Sequence, residues 1–184
     1  MLFVIANNVI LLIVLWLLMG LMMARLIGID SEWKEAQYAS KFARYNYLAG
    51  TSFLGLAVGI LAYSSGSYTV DGILASLDTT PQWISTAAAL CIIVSAMIQS
   101  AIFPFHRWLM SAMTSPTPAS ALMHAGFVNG AGILLTIFAP LLFTANVLLL
   151  IFIIGGFTAI IAQFSKLLQV IVKQKLACST ICLL

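Results

Sequence analysis

In a chain of 184 residues that is otherwise strongly apolar, four polar side chains stand where proton chemistry is possible: Gln99, His106, His124 and Asn129. An unperturbed imidazole titrates near neutral pH, so the two histidines can take up and release a proton. Glutamine and asparagine do not titrate, but their amides can order water between titrating groups. His124 lies at the end of SPTPASALMH, inside an apolar run. One reading makes it a member of a proton relay, bonded through waters to its neighbours. The other makes it a structural histidine that hydrogen-bonds a backbone carbonyl between helices. An ionisable residue at membrane depth is a functional candidate by default, because burying it in hydrocarbon is costly.

The stretch FPFHRWLMSAMTSPTP, residues 103–118, is the most informative locally. Pro104, Pro116 and Pro118 each remove a backbone donor and clash with continued helix. Irregular backbone survives at membrane depth only inside protein or beside water. Two readings therefore stand: a broken helix with His106 and Arg107 lining a cavity, or a surface loop with a short interfacial helix anchored by Trp108.

Other chemistry is missing. There is no glycine-rich phosphate loop, nucleophile elbow or His/Cys/carboxylate cluster at metal spacing. Cys91, Cys178 and Cys182 are odd in number and lack a CxxC pair, so neither a disulfide framework nor a zinc knuckle is expected. Asp30, Glu32 and Glu35 lie among Lys34, Lys41 and Arg44, as in a solvated loop. No catalytic residue, cofactor site or metal site is expected, nothing suits NADH, flavin, haem or an iron–sulfur cluster, and the chain is not an enzyme by itself. A net charge of +3 with dispersed basic residues also gives no surface for nucleic acid.

The elements that must position these residues are helices in a bilayer. The chain is 62% hydrophobic and 7% charged, against about 25% charged in ordinary soluble domains. So much apolar surface cannot be hidden in one core of this size and must face lipid. Five segments, 2–24, 47–63, 83–103, 119–139 and 144–163, each approach the ~20 residues that cross hydrocarbon as helix. Strand-like alternation is absent. The expected fold is a single all-α integral membrane domain over 1–184: about five crossings, the start of a sixth, and a proline-broken segment between the third and fourth.

If five helices alternate, all eight basic residues fall on one face, while Asp71 and Asp78 lie on the other. The positive-inside rule then puts the N-terminus outside and the C-terminus in the cytoplasm. A cleaved signal peptide is the alternative for the first segment, but no positive charge precedes it and it exceeds the usual ~7–15 apolar residues. Tyr45, Tyr47, Tyr63, Tyr68, Trp83 and Trp108 sit near the expected boundaries, as headgroup anchors do. Gly126 and Gly130 make a GxxxG pair suited to close helix packing, and Gly50, Gly55 and Gly59 suggest the same for the second segment.

Residues 99–132, QSAIFPFHRWLMSAMTSPTPASALMHAGFVNGAG, closely resemble the signature of proton-conducting, antiporter-like membrane subunits. That pattern reads K-S-A-x-F-P-F-H-x-W-L-x-x-A-M-x-x-P-T-P-x-S-A-L-x-H-A. The superfamily includes NADH-quinone oxidoreductase subunit 5 and its relatives, the Mrp antiporters, and the membrane subunit of the DAB inorganic-carbon transporter. LWLLMGL at 15–21 resembles the family's W-E-L-V-G, and IVKQKLACSTI at 171–181 its D-I-K-R-x-L-A-Y-S-T-I. The resemblance implies proton movement through buried polar side chains and water in a bacterial inner membrane. Implied partners are the bilayer and a larger membrane complex, either with a soluble zinc-binding subunit (DAB type) or with other complex I or Mrp subunits. No redox centre is implied in the chain itself.

The departures are specific. The family glutamate falls at Leu17, the family lysine at Gln99, and the aspartate opening the last motif at Ile171, so the family's Glu–Lys gating pair is not carried over. His106 and His124 remain as titratable matches. Family members have about fourteen helices in two related halves, whereas this chain resembles the fifth into the tenth. The expectation is a fragment of a longer subunit that conducts little alone. HRWL followed by SALMHAGFVNGAG, with the acid–lysine pair missing, is more similar to the DAB subunit than to complex I or Mrp. A non-transporting packing or assembly subunit is the remaining expectation.

Overall fold

The computed structural model describes residues 6–30, 32–77 and 80–183, without the side chains of Ala125 and Leu183. The first few residues of the expected first segment, together with Asp78, lie outside the described residues.

The elements are all helical: α1 (Val9–Ile27), α2 (Lys34–Ser65), α3 (Val70–Ala75), α4 (Gln82–Gln99), α5 (Arg107–Ala112), α6 (Thr117–Leu122), a π turn (Met123–Phe127), α7 (Gly130–Ile137), α8 (Ala139–Thr144), α9 (Leu148–Leu168) and α10 (Val172–Leu183). Among the described residues, α1, α2, α4 and α9 are long and apolar enough to cross a membrane. The protein is an all-α membrane protein. The expected fourth spanning segment, 119–139, is a series of helical pieces: part of α6, the π turn and α7. None of these is long enough to cross alone.

Local chemistry explains the ends. Asn8 caps α1, its side chain accepting from the Ile10 and Leu11 amides, which satisfies donors that have no partner inside the helix. Asn7 donates to the Asp71 carboxylate at 2.7 Å, and an isolated bridge joins Asn8 to Thr69, so the start of α1 is tied to α3.

α2 begins far earlier than the apolar stretch at 47–63 suggests. Its 32 residues span roughly 48 Å, more than the ~30 Å of hydrocarbon. Lys34, Glu35, Lys41 and Arg44 occupy its exposed first third, where the sequence suggested a loop. A buried stripe, Ala36, Ala39, Ala43, Tyr47 and Leu54, runs at helical spacing from this polar third into the apolar part. Tertiary bonds hold that early portion: Ser40 Oγ donates to the Ala24 carbonyl at 2.6 Å, and Gln37 Nε2 to the Gly28 carbonyl at 2.8 Å.

α2 packs most extensively on α4 and next on α1, while α9 and α10 form a hairpin. One buried cluster joins α1, α2, α4, α7 and α8 around Trp16, Leu54, Ile92 and Phe138. A second gathers Tyr47, Trp108, Met123 and Phe127 around the interrupted region. Of the α9 residues only Thr158 and Ala162 are buried, so most of this helix presents apolar side chains outward.

Two expectations change. Tyr47 and Trp108 are buried rather than anchored at the headgroup level, with ring centroids 5.1 Å apart in an edge-to-face contact. Tyr45, Tyr63, Tyr68 and Trp83 are exposed. The GxxxG pair does not form a joint packing face: Gly130 meets Met19, but a Cβ on Gly126 would meet nothing within 4 Å. Gly126 lies inside the π turn, whose extra residue breaks the regular four-residue spacing that would stack it on Gly130. Close approach occurs elsewhere, where a Cβ at Gly20 would lie 2.9 Å from the Tyr47 Cβ.

Gly20→Ala is expected to destabilise the protein by about 1–3 kcal/mol, because the Tyr47 Cβ is rooted in backbone and cannot swing away. Gly126→Ala is expected to change stability by no more than about 0.5 kcal/mol. Unfolding titrations in mixed micelles compare the two; an equal cost at both positions contradicts this packing.

Candidate functional site

α4 ends at Gln99, and the next helical residue is Arg107. Between them the chain turns, with Ala101 at φ 54, a backbone region uncommon for residues other than glycine. A second turn separates α5 from α6, where Pro118 sits in the first turn of the new helix, a position tolerant of its missing N–H. Each interruption frees carbonyls that an unbroken helix would have used.

Side chains take them up. The Trp108 indole donates to the Ile98 carbonyl at 2.9 Å, folding α5 back against the end of α4. Ser100 Oγ donates to the Val128 carbonyl at 2.9 Å. In the π turn the Val128 amide reaches back to the Met123 carbonyl, while Gly132 bonds Asn129 rather than Val128. The Val128 carbonyl is thereby released to Ser100. Lys173 Nζ on α10 donates to the Ser115 carbonyl in the second turn.

His124 is half-buried and lies within the π turn. Its Nδ1 is 2.9 Å from Thr180 Oγ1 on α10, and that hydroxyl donates to the Leu176 carbonyl at 3.0 Å. A hydroxyl carries one hydrogen. That hydrogen goes either to Leu176, in which case Thr180 Oγ1 accepts from His124 Nδ1–H and the neutral ring keeps its lone pair on Nε2, or to His124 Nδ1 itself. Thr180 is thus a site residue that the sequence reading did not single out; the ring's partner is a hydroxyl on a distant helix. Pairing across the break becomes visible only once α10 folds back.

His106 precedes α5, half-buried, its ring stacked on Phe103 at 5.5 Å between centroids. Its Nδ1 is buried without a hydrogen-bond partner. The ring lines a cavity of ≈ 370 Å³ between α5, α9 and α10, together with Arg107, Ser111, Ser165, Gln169 and Cys178. Gln99 is buried, and its Nε2 likewise lacks a partner, as do Tyr47 Oη on α2 and Ser95 Oγ on α4. Asn129 is exposed and borders a different, mainly apolar cleft of ≈ 300 Å³ with Ser100. The four sequence candidates therefore do not share one chamber. His106 and His124 both face α10, Gln99 lies in the buried end of α4, and Asn129 stands apart. Among the described residues, no three His, Cys, Asp or Glu side chains converge on a metal position.

Irregular backbone within a helical membrane bundle is tolerated where protein surrounds it, as among transporters. The family described as "NADH:quinone oxidoreductase/Mrp antiporter, TM" matches residues 6–184, and the chain belongs to it. It is 34% identical over 184 residues to a "Probable inorganic carbon transporter subunit DabB" of Hydrogenovibrio crunogenus, covering 96% of this chain and 35% of that one. It is also 34% identical over 166 residues to NADH-quinone oxidoreductase subunit L of Campylobacter jejuni, covering 84% of this chain and 28% of the relative. The solved Mrp complex from Dietzia sp. superimposes with a TM-score of 0.88 at 27% identity, over 96% of this chain and 20% of that one. The chain thus spans about a third of the length of its curated relatives.

Trp108→Phe removes the Nε1–H donor to Ile98 together with part of a fully buried ring, and is expected to cost about 1–3 kcal/mol in an unfolding titration; an unchanged midpoint contradicts a structural role for this indole. Imidazole ¹⁵N spectra of the neutral protein are expected to show His124 protonated at Nδ1, the tautomer that keeps both Thr180 hydrogen bonds, with Thr180→Val abolishing that bias. A wild-type signal for the Nε2–H tautomer means that the hydroxyl donates to His124 Nδ1 instead of Leu176.

Proposed function

We propose that this chain serves as part of the membrane subunit of a DAB-type inorganic-carbon uptake system driven by proton flux, acting without a redox centre of its own. The observation that carries the mechanism is His124, a titratable ring placed in a π turn with its Nδ1 2.9 Å from the Thr180 hydroxyl. π turns inside α-helices recur at functional sites because they displace backbone groups from the regular ladder. The likeness to probable inorganic carbon transporter subunits supports the choice of substrate.

In this reading His124 is the titrating station and His106, at the neighbouring cavity, a second one. Gln99 and Asn129 order water at positions where they cannot titrate. Pro104, Pro116 and Pro118 keep the backbone open around the path, and Thr180 positions the His124 ring. Each proton that crosses a potential of 100 mV releases about 2.3 kcal/mol for coupled uptake. The subunit crosses a bacterial inner membrane about five times and begins a sixth crossing, with its N-terminus outside and its basic residues in the cytoplasm. A larger complex, including a soluble zinc-binding subunit, completes it. The Mrp superposition favours a second reading, an antiporter or complex I subunit of the same architecture.

The test is growth at ambient CO2 of a host lacking its own inorganic-carbon uptake, with this chain co-expressed with the products of its neighbouring genes. Rescue is expected, sensitive to a protonophore and reduced at least about ten-fold in uptake rate by His124→Ala. Rescue that survives His124→Ala removes the relay, and rescue that survives deletion of the chain leaves only a packing role.

A further inference from the structure

The cavity beside His106 contains chemistry that proton transfer does not use. Cys178 Sγ on α10 lies 4.0 Å from Met110 Sδ on α5, and both residues line the cavity that His106 also lines. Cys178 is buried, and the buried Nδ1 of His106 has no hydrogen-bond partner. His106 and Met110 are separated by one helical turn, so they address the same side of α5. Thiol, thioether and imidazole thus border one space from two helices.

We propose that Cys178, Met110 and His106 form a binding site for a soft monovalent cation, Cu(I) by its chemistry and Ag(I) as its closest probe. Thiolate and thioether sulfur select soft ions, whereas carboxylate, which harder ions prefer, does not line this cavity. Sulfur atoms 4.0 Å apart, each bonded at about 2.3 Å as in other metal–thiolate sites, subtend about 120° at the metal. That angle leaves a trigonal position for nitrogen. Arg107 also borders the cavity, and its repulsion of a monovalent ion is half that of a divalent one. Binding is a ligand exchange without electron transfer: the Cys178 thiol loses its proton to solvent, the thiolate bonds the cation, and Met110 and His106 each donate a lone pair. The site shares His106 with the transport reading, since a bound ion takes a lone pair that proton uptake would use, whereas Cys178 and Met110 have no part in that reading.

The test uses the full chain in detergent with Cys91→Ser and Cys182→Ser, leaving Cys178 as the sole thiol. Anaerobic titration with Ag(I) against a competing chelator is expected to show one ion bound and one proton released per chain. Met110→Leu should weaken binding at least about ten-fold, and His106→Leu by a similar factor, with helicity checked by circular dichroism. X-ray absorption of the Cu(I) complex, which needs no ligand variant, should count two sulfurs and one nitrogen. Affinity unchanged in both variants, or a single sulfur at the metal, reduces the contact to a lone thiol packed on a methionine and overturns the proposal.

Discussion

A helix interrupted inside a packed bundle leaves carbonyl groups with no water to bond, and the arrangement of this protein follows from how those groups are satisfied. Three side chains do most of this. The Trp108 indole takes the Ile98 carbonyl, Ser100 Oγ the Val128 carbonyl and Lys173 Nζ the Ser115 carbonyl. A buried carbonyl left without a partner costs about 1–3 kcal/mol; the Ile98 carbonyl also accepts from the Ala101 amide at 3.4 Å, so the indole adds to a bond already present. The three side chains tie α5 to the end of α4, the residue after α4 to the π turn, and α10 to the turn before α6.

The position of His124 is a consequence of that arrangement. Ser100 accommodates the carbonyl that the π turn releases, and the same turn holds the imidazole toward α10, where Thr180 receives it. The turn contains both His124 and Gly126, and Gly126 packs against nothing within 4 Å whereas Gly130 beyond it meets Met19. Rigid support comes from the aromatic contact of Tyr47 with Trp108 and Phe127, which packs α2 against the interruption. Tyr47 in turn stands against Gly20, so α1, α2 and the broken segment share a single close contact.

Membrane character and helical class were legible in the residues themselves. Apolar runs of helical length have few other uses. His106, His124, Gln99 and Asn129 could be singled out because polar side chains are rare in such a chain. Their partners could not. Thr180 lies 56 positions from His124, and nothing in a threonine near the C-terminus marks it as the partner. The early start of α2 was hidden because its first turns are charged, and they are held by Ser40 and Gln37 bonding the end of α1. The burial of Trp108 was hidden because an aromatic at a segment boundary reads equally well as a headgroup anchor.

The sequence by itself determined that this chain is an all-helical membrane protein, and it marked His106 among Pro104, Pro116 and Pro118 and His124 beyond them as its titratable candidates. Those properties depend on composition, periodicity and backbone chemistry, which are local. Only the tertiary structure decided which face each residue presents: that Asn129 borders a cleft apart from His106, that His124 meets a hydroxyl, and that Cys178 lies against Met110. Such pairings depend on the rotation of one helix against another. A single π turn or an early helix start resets that rotation by a residue, and no local pattern records it.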